Sequence, residues 1–476
     1  MSDPFARPSE AYAWLDGQVN YERTLGSVAY DSQTFALEGF RQRLRALGDP
    51  HRALRAVHIA GTRGKGSAAL ALEALLRACG LRTAVYTSPH LHEYRERIRL
   101  DGAWVSGAMF TEILGRIARL APPEPPEAPP AGDGRAFKTV FETLTALFFL
   151  IARESAVDWA IVETGLGGRL DATNVLGPGP VLLTRIGLEH THLLGDTIEA
   201  IAAEKAAILK AGGWGVAGAQ DAGGGAEAIY RGRAAAVGAR LDHAPALCPL
   251  RRFEPTSEGS RLEILFEGRP LKLELAMYGD FQVENLQNAL ALFSRLRAER
   301  LIPLIPDGAI VAALEGLRLP GRMERVCVAP AVFADGGHCP TAAAALARTM
   351  RDHFGEAPAG LLVGMMQEKD HEGFFRALAE WPGWQWVWCY PPRSPRALDA
   401  PSLAAVARRH FHNTRVFQNL DQALESIERL TDKRLRIVAT GSLYSIARLE
   451  EWGVHHGPHG VQTKVTQAQA EPDASH

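Results

Sequence analysis

The chain lacks any apolar run near the roughly 18 residues a membrane-spanning helix needs, which excludes helical membrane insertion. The opening Met1-Ser-Asp-Pro-Phe-Ala-Arg7 has no apolar core, so no secretory leader is expected. Cysteine is scarce: Cys79, Cys248, Cys327, Cys339 and Cys389 are an odd, scattered set with no Cys-x-x-Cys pair. That excludes a disulfide frame and a zinc finger, and predicts reduced thiols in a cytoplasmic protein. There is no excess of either charge, because 52 Lys and Arg face 54 Asp and Glu for a net of -2. Bulk attraction to nucleic acid or an anionic membrane is therefore excluded, and any affinity for phosphate must be local. No internal repeat is visible. Residues 121–134, crowded with proline, read as a surface loop, and about 456–476 as a disordered tail.

What is present is a chain of 476 residues, too long for one core, so two domains are expected. Its organising stretch is Ala56-Val-His-Ile-Ala-Gly-Thr-Arg-Gly-Lys-Gly-Ser67. Val57 to Ala60 reads as a buried strand, Gly61 to Gly66 as a loop, and Ala68 to Cys79 as a helix stopped by Gly80. Glycines let backbone N–H groups turn inward, the helix dipole favours negative charge, and Lys65 adds a full positive charge. Ser67 at the helix start suits a magnesium ion held by phosphates. The strict phosphate-loop pattern has Ser or Thr directly after the lysine, whereas here Gly66 intervenes. The flanking strand and helix still indicate a nucleoside triphosphate site.

Strands and helices alternate from there on. Leu81 to Tyr86, Trp159 to Val162 and Val181 to Ile186 read as strands that end in Thr87-Ser-Pro-His-Leu91, Glu163-Thr-Gly-Leu-Gly-Gly-Arg-Leu-Asp-Ala-Thr-Asn174 and Gly187-Leu-Glu-His190. Alternation predicts an α/β parallel sheet covered on both faces, with these motifs converging at the strand ends. Phe137 to Ala152 reads as a buried helix, Ala211 to Gly232 as loop-rich, and 238–276 as a β-rich excursion. Leu319-Pro-Gly-Arg322 reads as a hinge, after which the alternation resumes.

In their joint order these motifs resemble the folylpolyglutamate synthase / dihydrofolate synthase family, a branch of the Mur ligase superfamily. The match runs over roughly residues 40 to 450. It includes Glu204-Lys-Ala-Ala-Ile208, Gln282-Val-Glu-Asn285, Asp335-Gly-Gly-His338, Glu368-Lys-Asp370 and Thr440-Gly-Ser-Leu-Tyr444. The resemblance implies an N-terminal P-loop domain of the Mur ligase central type over 1–318 and a C-terminal Rossmann-like α/β domain over 319–455, with the site in the cleft between them. It implies a monomeric ATP-dependent ligase that joins L-glutamate to folate or dihydropteroate. Gly61, Thr62, Gly64, Lys65, Gly66, Ser67, Asn285, Arg322 and Asp335 would contact ATP, with Lys65, Lys205 and His338 catalytic. Ser67, Glu163 and His190 would hold Mg2+, two ions in all, and Asp171 and Ser442 would bind substrate. Lys205 matches a lysine carbamylated by carbon dioxide, which requires a neutral amine and so a depressed pKa.

The family loop usually reads Gly-Thr-Asn-Gly-Lys-Gly-Ser, and Arg63 stands in place of that Asn. The usual Asp-Gly-Ala-His-Asn is Asp335-Gly-Gly-His338-Cys339, and the usual Asp-Lys-Asp is Glu368-Lys-Asp370. Two rival readings are a P-loop kinase or ATPase, and a nucleotide-binding relative without catalysis. The first leaves the second-half motifs unexplained, and retention of Lys65, Ser67, Glu163, His190 and Lys205 opposes the second.

Overall fold

Val57, Ile59 and Ala60 are fully buried in strand β1 (Ala56–Ala60), and a strand covered on both faces belongs inside a parallel sheet. That is its place in the computed structural model, which describes residues 5–20, 37–120, 139–221, 225–430 and 435–456. The proline-rich stretch 121–134 and the tail beyond 456 lie outside the described residues. The chain divides into two units. One comprises Met1–Arg251, Ile264–Leu271 and Glu284–Leu314, the other Arg252–Glu263, Lys272–Val283 and Glu315–His476.

The first unit adds β2 (Thr83–Tyr86), β3 (Ile98–Leu100), β4 (Ala103–Trp104), β5 (Trp159–Glu163), β6 (Pro180–Leu183), β7 (Trp214–Ala217) and β8 (Arg240–His243). Their order is β4-β3-β2-β5-β1-β6-β7-β8. Neighbours from β2 through β8 are parallel, and β3 and β4 make an antiparallel edge. The chain lays β2 and β5 on one side of β1 and β6 on the other. Such a reversal opens a crevice at the carboxyl ends of the strands, where ligands of α/β sheets bind.

The helix Lys65–Ala78 leaves the loop after β1 and buries Leu72, Leu75 and Leu76. The helix Val140–Glu154 starts on Thr139, whose hydroxyl accepts the Glu142 N–H at 3.1 Å, and every residue from Thr143 to Ala152 is buried. A helix apolar all round belongs in a core.

One expectation fails here. The glycine-rich stretch Ala211 to Gly232, read as loop, contains β7 and most of the helix Ala226–Val237. β7 is made by pairing with β6 and β8 on either side, which composition cannot report. The helix is carried by alanine's propensity and by the Arg231 guanidinium donating to Glu227 one turn earlier.

The β-rich excursion consists of β9 (Leu250–Thr256), β10 (Gly259–Phe266) and β11 (Arg269–Leu275), in a sheet ordered β11-β10-β9. The second unit contains β12 (Arg322–Val328), β13 (Ala331–Asp335), β14 (Ala359–Val363), β15 (Trp384–Cys389), β16 (Thr414–Val416) and β17 (Arg436–Thr440). They are ordered β12-β13-β17-β14-β15-β16, parallel except for β12 against β13. Trp381 and Trp384 meet edge to face at 4.8 Å within its core. The mixed α/β class with parallel sheets is as the sequence predicts. Among the described residues no helix is long and apolar enough to cross a membrane.

Gly64 precedes the first helix with φ +82, and a Cβ there would overlap the Asn285 side-chain oxygen. Left-handed strain and the clash act together, so Gly64→Ala should lose about 2–4 kcal/mol. A lower urea midpoint at unchanged slope checks this.

Candidate active site

The loop after β1 is fastened to the end of β6 by the backbone and two hydroxyls. The N–H groups of Thr62 and Arg63 donate to the Arg185 carbonyl at 2.9 and 3.3 Å. The Thr62 hydroxyl donates to the Gly187 carbonyl at 3.1 Å, and Thr184 donates to the Arg63 carbonyl at 2.7 Å. Gly61 closes on Thr184, whose side chain fills the place a Cβ would take. The helix beginning at Lys65 has no side-chain cap, so the first N–H groups that a helix leaves without internal acceptors face this loop. Ser67 is buried within that first turn.

Lys65 reaches back across the loop. Its ammonium lies 3.7 Å from Glu163 Oε1 and donates to the Thr62 carbonyl at 3.4 Å. Glu163, the last residue of β5, is buried, and its Oε2 accepts the Ser88 N–H at 3.2 Å. A Cβ on Gly66 would stand 3.3 Å from that oxygen. The glycine that departs from the strict phosphate-loop pattern is therefore what lets the helix start lie against the carboxylate.

Lys205 is buried beside this pair. Burial, helped by the Lys65 charge, lowers its pKa from 10.5 to about 7, against the opposing pull of Glu189, Asp171 and Glu163. The loop following Glu163 rests on its helix, Ile198–Ala206. A Cβ on Gly168 would meet the Glu204 carbonyl at 2.6 Å, and the Arg169 N–H donates to that carbonyl at 2.9 Å.

Asp171 serves this loop. Its Oδ2 accepts the Gly165 and Leu166 N–H groups, each at 2.9 Å. Its Oδ1 accepts the Thr173 N–H at 2.9 Å and the Thr173 hydroxyl. Four donors fill a carboxylate's roughly four acceptor positions. Burial raises its pKa despite those bonds. A direct bond to a pterin, the role the resemblance implies, finds no vacant acceptor in this arrangement.

Glu163 and His190 follow strands that are not neighbours. β5 and β6 flank β1 and do not touch each other. His190 lies beyond the end of β6 with φ +51, capping the short helix Thr191–Leu194. Asn285 is brought to the loop, its side chain packed over Gly64. Among the described residues no three His, Cys, Asp or Glu side chains gather into a metal cage. Magnesium sites draw largely on phosphate oxygens and water, so such a cage is not required.

The second unit assembles its own group at the ends of β13 and β17. Asp335 is buried; its Oδ1 accepts the Gly337 N–H at 2.9 Å and its Oδ2 the Met323 N–H at 3.1 Å. Burial raises its pKa, and the Arg322 charge opposes that rise. A Cβ on Gly337 would meet Asp335 Oδ1 at 2.7 Å, so the usual alanine would require the carboxylate to shift. His338 Nδ1 faces the Gly336 carbonyl at 3.0 Å. Thr440 and Gly441 both donate to the Gly337 carbonyl, at 3.0 and 2.8 Å. Ser442 Oγ is buried with no hydrogen-bond partner among the described residues. Cys339 stands at the N-cap of the helix Pro340–Phe354, its thiol beside the Thr341 hydroxyl and accepting no helix N–H, where an asparagine would stabilise the helix by about 1 kcal/mol.

Thr184, Arg185 and Ser88, which hold the loop and Glu163, carry no sequence signal, because polar residues just past a strand are common. His58 was the visible clue to a further contact. An imidazole in an otherwise apolar strand needs a partner, and its Nε2 meets Thr173 Oγ1 at 2.8 Å.

The Mur ligase, glutamate ligase domain family matches residues 321–443. A dihydrofolate synthase/folylpolyglutamate synthase of Mycobacterium tuberculosis is 32% identical over 425 residues, 83% of this chain and 85% of that protein. A probable bifunctional folylpolyglutamate synthase/dihydropteroate synthase of Halobacterium salinarum is 35% identical over 85% of this chain, which spans only 48% of that protein. The structure of a bifunctional folylpolyglutamate synthase/dihydrofolate synthase from Yersinia pestis, complexed with AMPPNP and a Mn ion, superposes with a TM-score of 0.76. Its identity is 26%, over 96% of this chain and all of that one. Motif order, fold and a 32% likeness over 85% of the Mycobacterium tuberculosis relative converge: the chain belongs to the folylpolyglutamate synthase / dihydrofolate synthase family of ATP-dependent ligases.

Proposed function

We propose that the protein joins the amine of L-glutamate to a carboxylate of a folate-type acceptor, a reduced folate or its polyglutamates, dihydropteroate, or both, at the expense of ATP. The observation that carries this reading is the trio of half-buried Lys65 with buried Glu163 and Lys205 at the glycine loop. In the proposed reaction an acceptor carboxylate oxygen attacks the γ-phosphorus of ATP, and ADP leaves. The resulting acyl phosphate is attacked at its carbonyl carbon by the neutral glutamate amine. The tetrahedral adduct expels inorganic phosphate as the nitrogen loses its proton.

In this reading Gly61 to Ser67 cradle the phosphates, and Lys65 follows the negative charge as it spreads over the transferring group. Asn285, Arg322 and Asp335 contribute to nucleotide binding, His338 acts beside the transferred phosphoryl group, and Ser442 meets substrate. Ser67, Glu163 and His190 would hold Mg2+, which neutralises phosphate charge. A hydroxyl, a buried carboxylate and an imidazole fit a hard cation that keeps some of its waters. Carbamylated Lys205 would add an anion able to place a second ion, and its lowered pKa supplies the neutral amine whose lone pair attacks the carbon of carbon dioxide, the proton leaving to solvent.

Phosphate release with ATP, magnesium and glutamate should require a folate-type acceptor. Release indifferent to acceptor and glutamate would indicate a simple ATPase instead. Lys65→Ala should slow ligation at least about a hundredfold while the protein stays folded. Near-normal turnover in that variant removes the loop from the mechanism.

Glu163→Gln and His190→Ala should each raise the magnesium concentration needed for half-maximal rate. A lower rate with unchanged magnesium dependence would mean that neither side chain is a ligand.

Lys205→Ala should be nearly inactive, with part of the rate restored by acetate or formate. Folded Lys205 releases its proton near 7, and the unfolded lysine near 10.5. Between those values the unfolded state binds more protons, so stability rises with pH over that window. Lys205→Met should flatten that rise in a pH series of urea titrations. Carbon dioxide uptake should likewise fall below about pH 7, where the amine is protonated. A fully active Lys205→Ala protein would reduce the residue to a structural role.

A further inference from the structure

The first unit has a cationic hollow at the opposite end of its sheet from Lys65. It opens where β1 and β6 begin, with Arg55, Ala56, Pro180 and Val181 in its wall, and has a volume of about 380 Å³. Arg41, His51 and Arg52 complete its charged side, and Leu54, Leu176 and Ile208 form an apolar one. That volume is in the range of small-molecule sites, roughly 300–1,000 Å³.

Positive charge is concentrated here without internal compensation. Among the described residues no carboxylate lines the cavity. The acids that reach its arginines do so outside it: Glu38 lies 3.6 Å from Arg41, and Asp49 lies 3.5 Å from Arg52. Behind the wall, Lys210 donates to the Asn174 carbonyl at 2.8 Å and to that of Leu176. Burial, then Arg41 and Arg233, press its pKa from 10.5 to about 8. Burial first, then Arg52, Arg41 and Lys210, lower that of His51 against the pull of Asp49. These cations repel one another, and an anion among them would relieve the repulsion.

His51 closes part of the wall. Only 6% of the residue is exposed, its ring packs 5.8 Å from that of Phe149, and its Nδ1 is enclosed with no hydrogen-bond partner among the described residues. That nitrogen is shut off from the cavity as well as from solvent, so the ring serves as wall.

We infer that this cavity binds a small organic anion, a carboxylate or phosphate on a compact apolar body, held by Arg41, Arg52 and Arg55. Guanidinium forks match either oxyanion in two-pronged fashion, while Leu54, Leu176 and Ile208 take the apolar part. The inference does not depend on the ligase reading, because none of these residues belongs to the glycine-loop site.

The test is calorimetric titration of the full chain with phenyl phosphate, benzoate or inorganic phosphate, in saturating magnesium and ADP so that the glycine loop is filled. Phenyl phosphate or benzoate should bind saturably at one site, and the tighter of the two identifies the headgroup. Inorganic phosphate should bind about tenfold more weakly than phenyl phosphate, for want of the apolar contact. The double variant Arg41→Gln/Arg55→Gln should lose about tenfold or more in affinity, since two charge-assisted bonds go. It alters only side chains near the surface, and unchanged ADP affinity would verify that it is folded. Absence of saturable binding by both organic anions up to about 10 mM would overturn the inference. So would an affinity untouched by the arginine substitutions, and inorganic phosphate binding as tightly as phenyl phosphate would overturn the apolar half of the site.

Discussion

The structure of the first unit depends on keeping three ionisable groups, Lys65, Glu163 and Lys205, close together and out of water. One carboxylate cannot neutralise both the half-buried Lys65 ammonium and a buried Lys205 ammonium, and the protein's answer is a Lys205 that gives up its proton near 7. The Lys65–Glu163 pair at 3.7 Å then stands as a balanced ion pair. Breaking such a pair leaves a buried charge uncompensated, which is far worse than never having buried it. The same preorganised charge suits a site where negative charge moves between oxygens, because nothing needs to reorganise as it does so.

The surrounding polar network exists to hold that trio in place. Asp171 pins the loop after Glu163 through three backbone N–H groups and the Thr173 hydroxyl, and His58 meets the same hydroxyl from β1. Burial drives the His58 pKa down to about 3, so it remains a neutral hydrogen-bonding group at every working pH. The Asp171 carboxylate and the Thr173 hydroxyl are satisfied within this network. Rigid placement of this kind is what catalytic constellations need.

The second unit repeats the principle with different parts. A buried aspartate at the end of β13 organises a double-glycine turn, and the end of β17 braces that turn through Thr440 and Gly441. In both units, functional groups stand at the carboxyl ends of neighbouring parallel strands. The cationic cavity of the first unit lies at the other end of its sheet, where the topology provides no such convergence and the charges come instead from the 41–55 segment.

The sequence by itself determined the fold class, the strand–loop–helix at Ala56–Ala78 and the strand positions of Asp335 and Thr440. These follow from local information: apolar runs, glycine placement and helix stops. The β7 strand and the Ala226–Val237 helix were not legible, because pairing and packing overrode a composition that reads as loop. The depressed pKa of Lys205 was implied only through resemblance; its physical cause, burial beside Lys65, is a matter of which elements are stacked. Likewise, Asp171 looks like a free acceptor in one dimension. Only the folded loop brings Gly165, Leu166 and Thr173 round to occupy it, since a side chain's hydrogen-bonding capacity is spent by whatever tertiary structure places within about 3 Å.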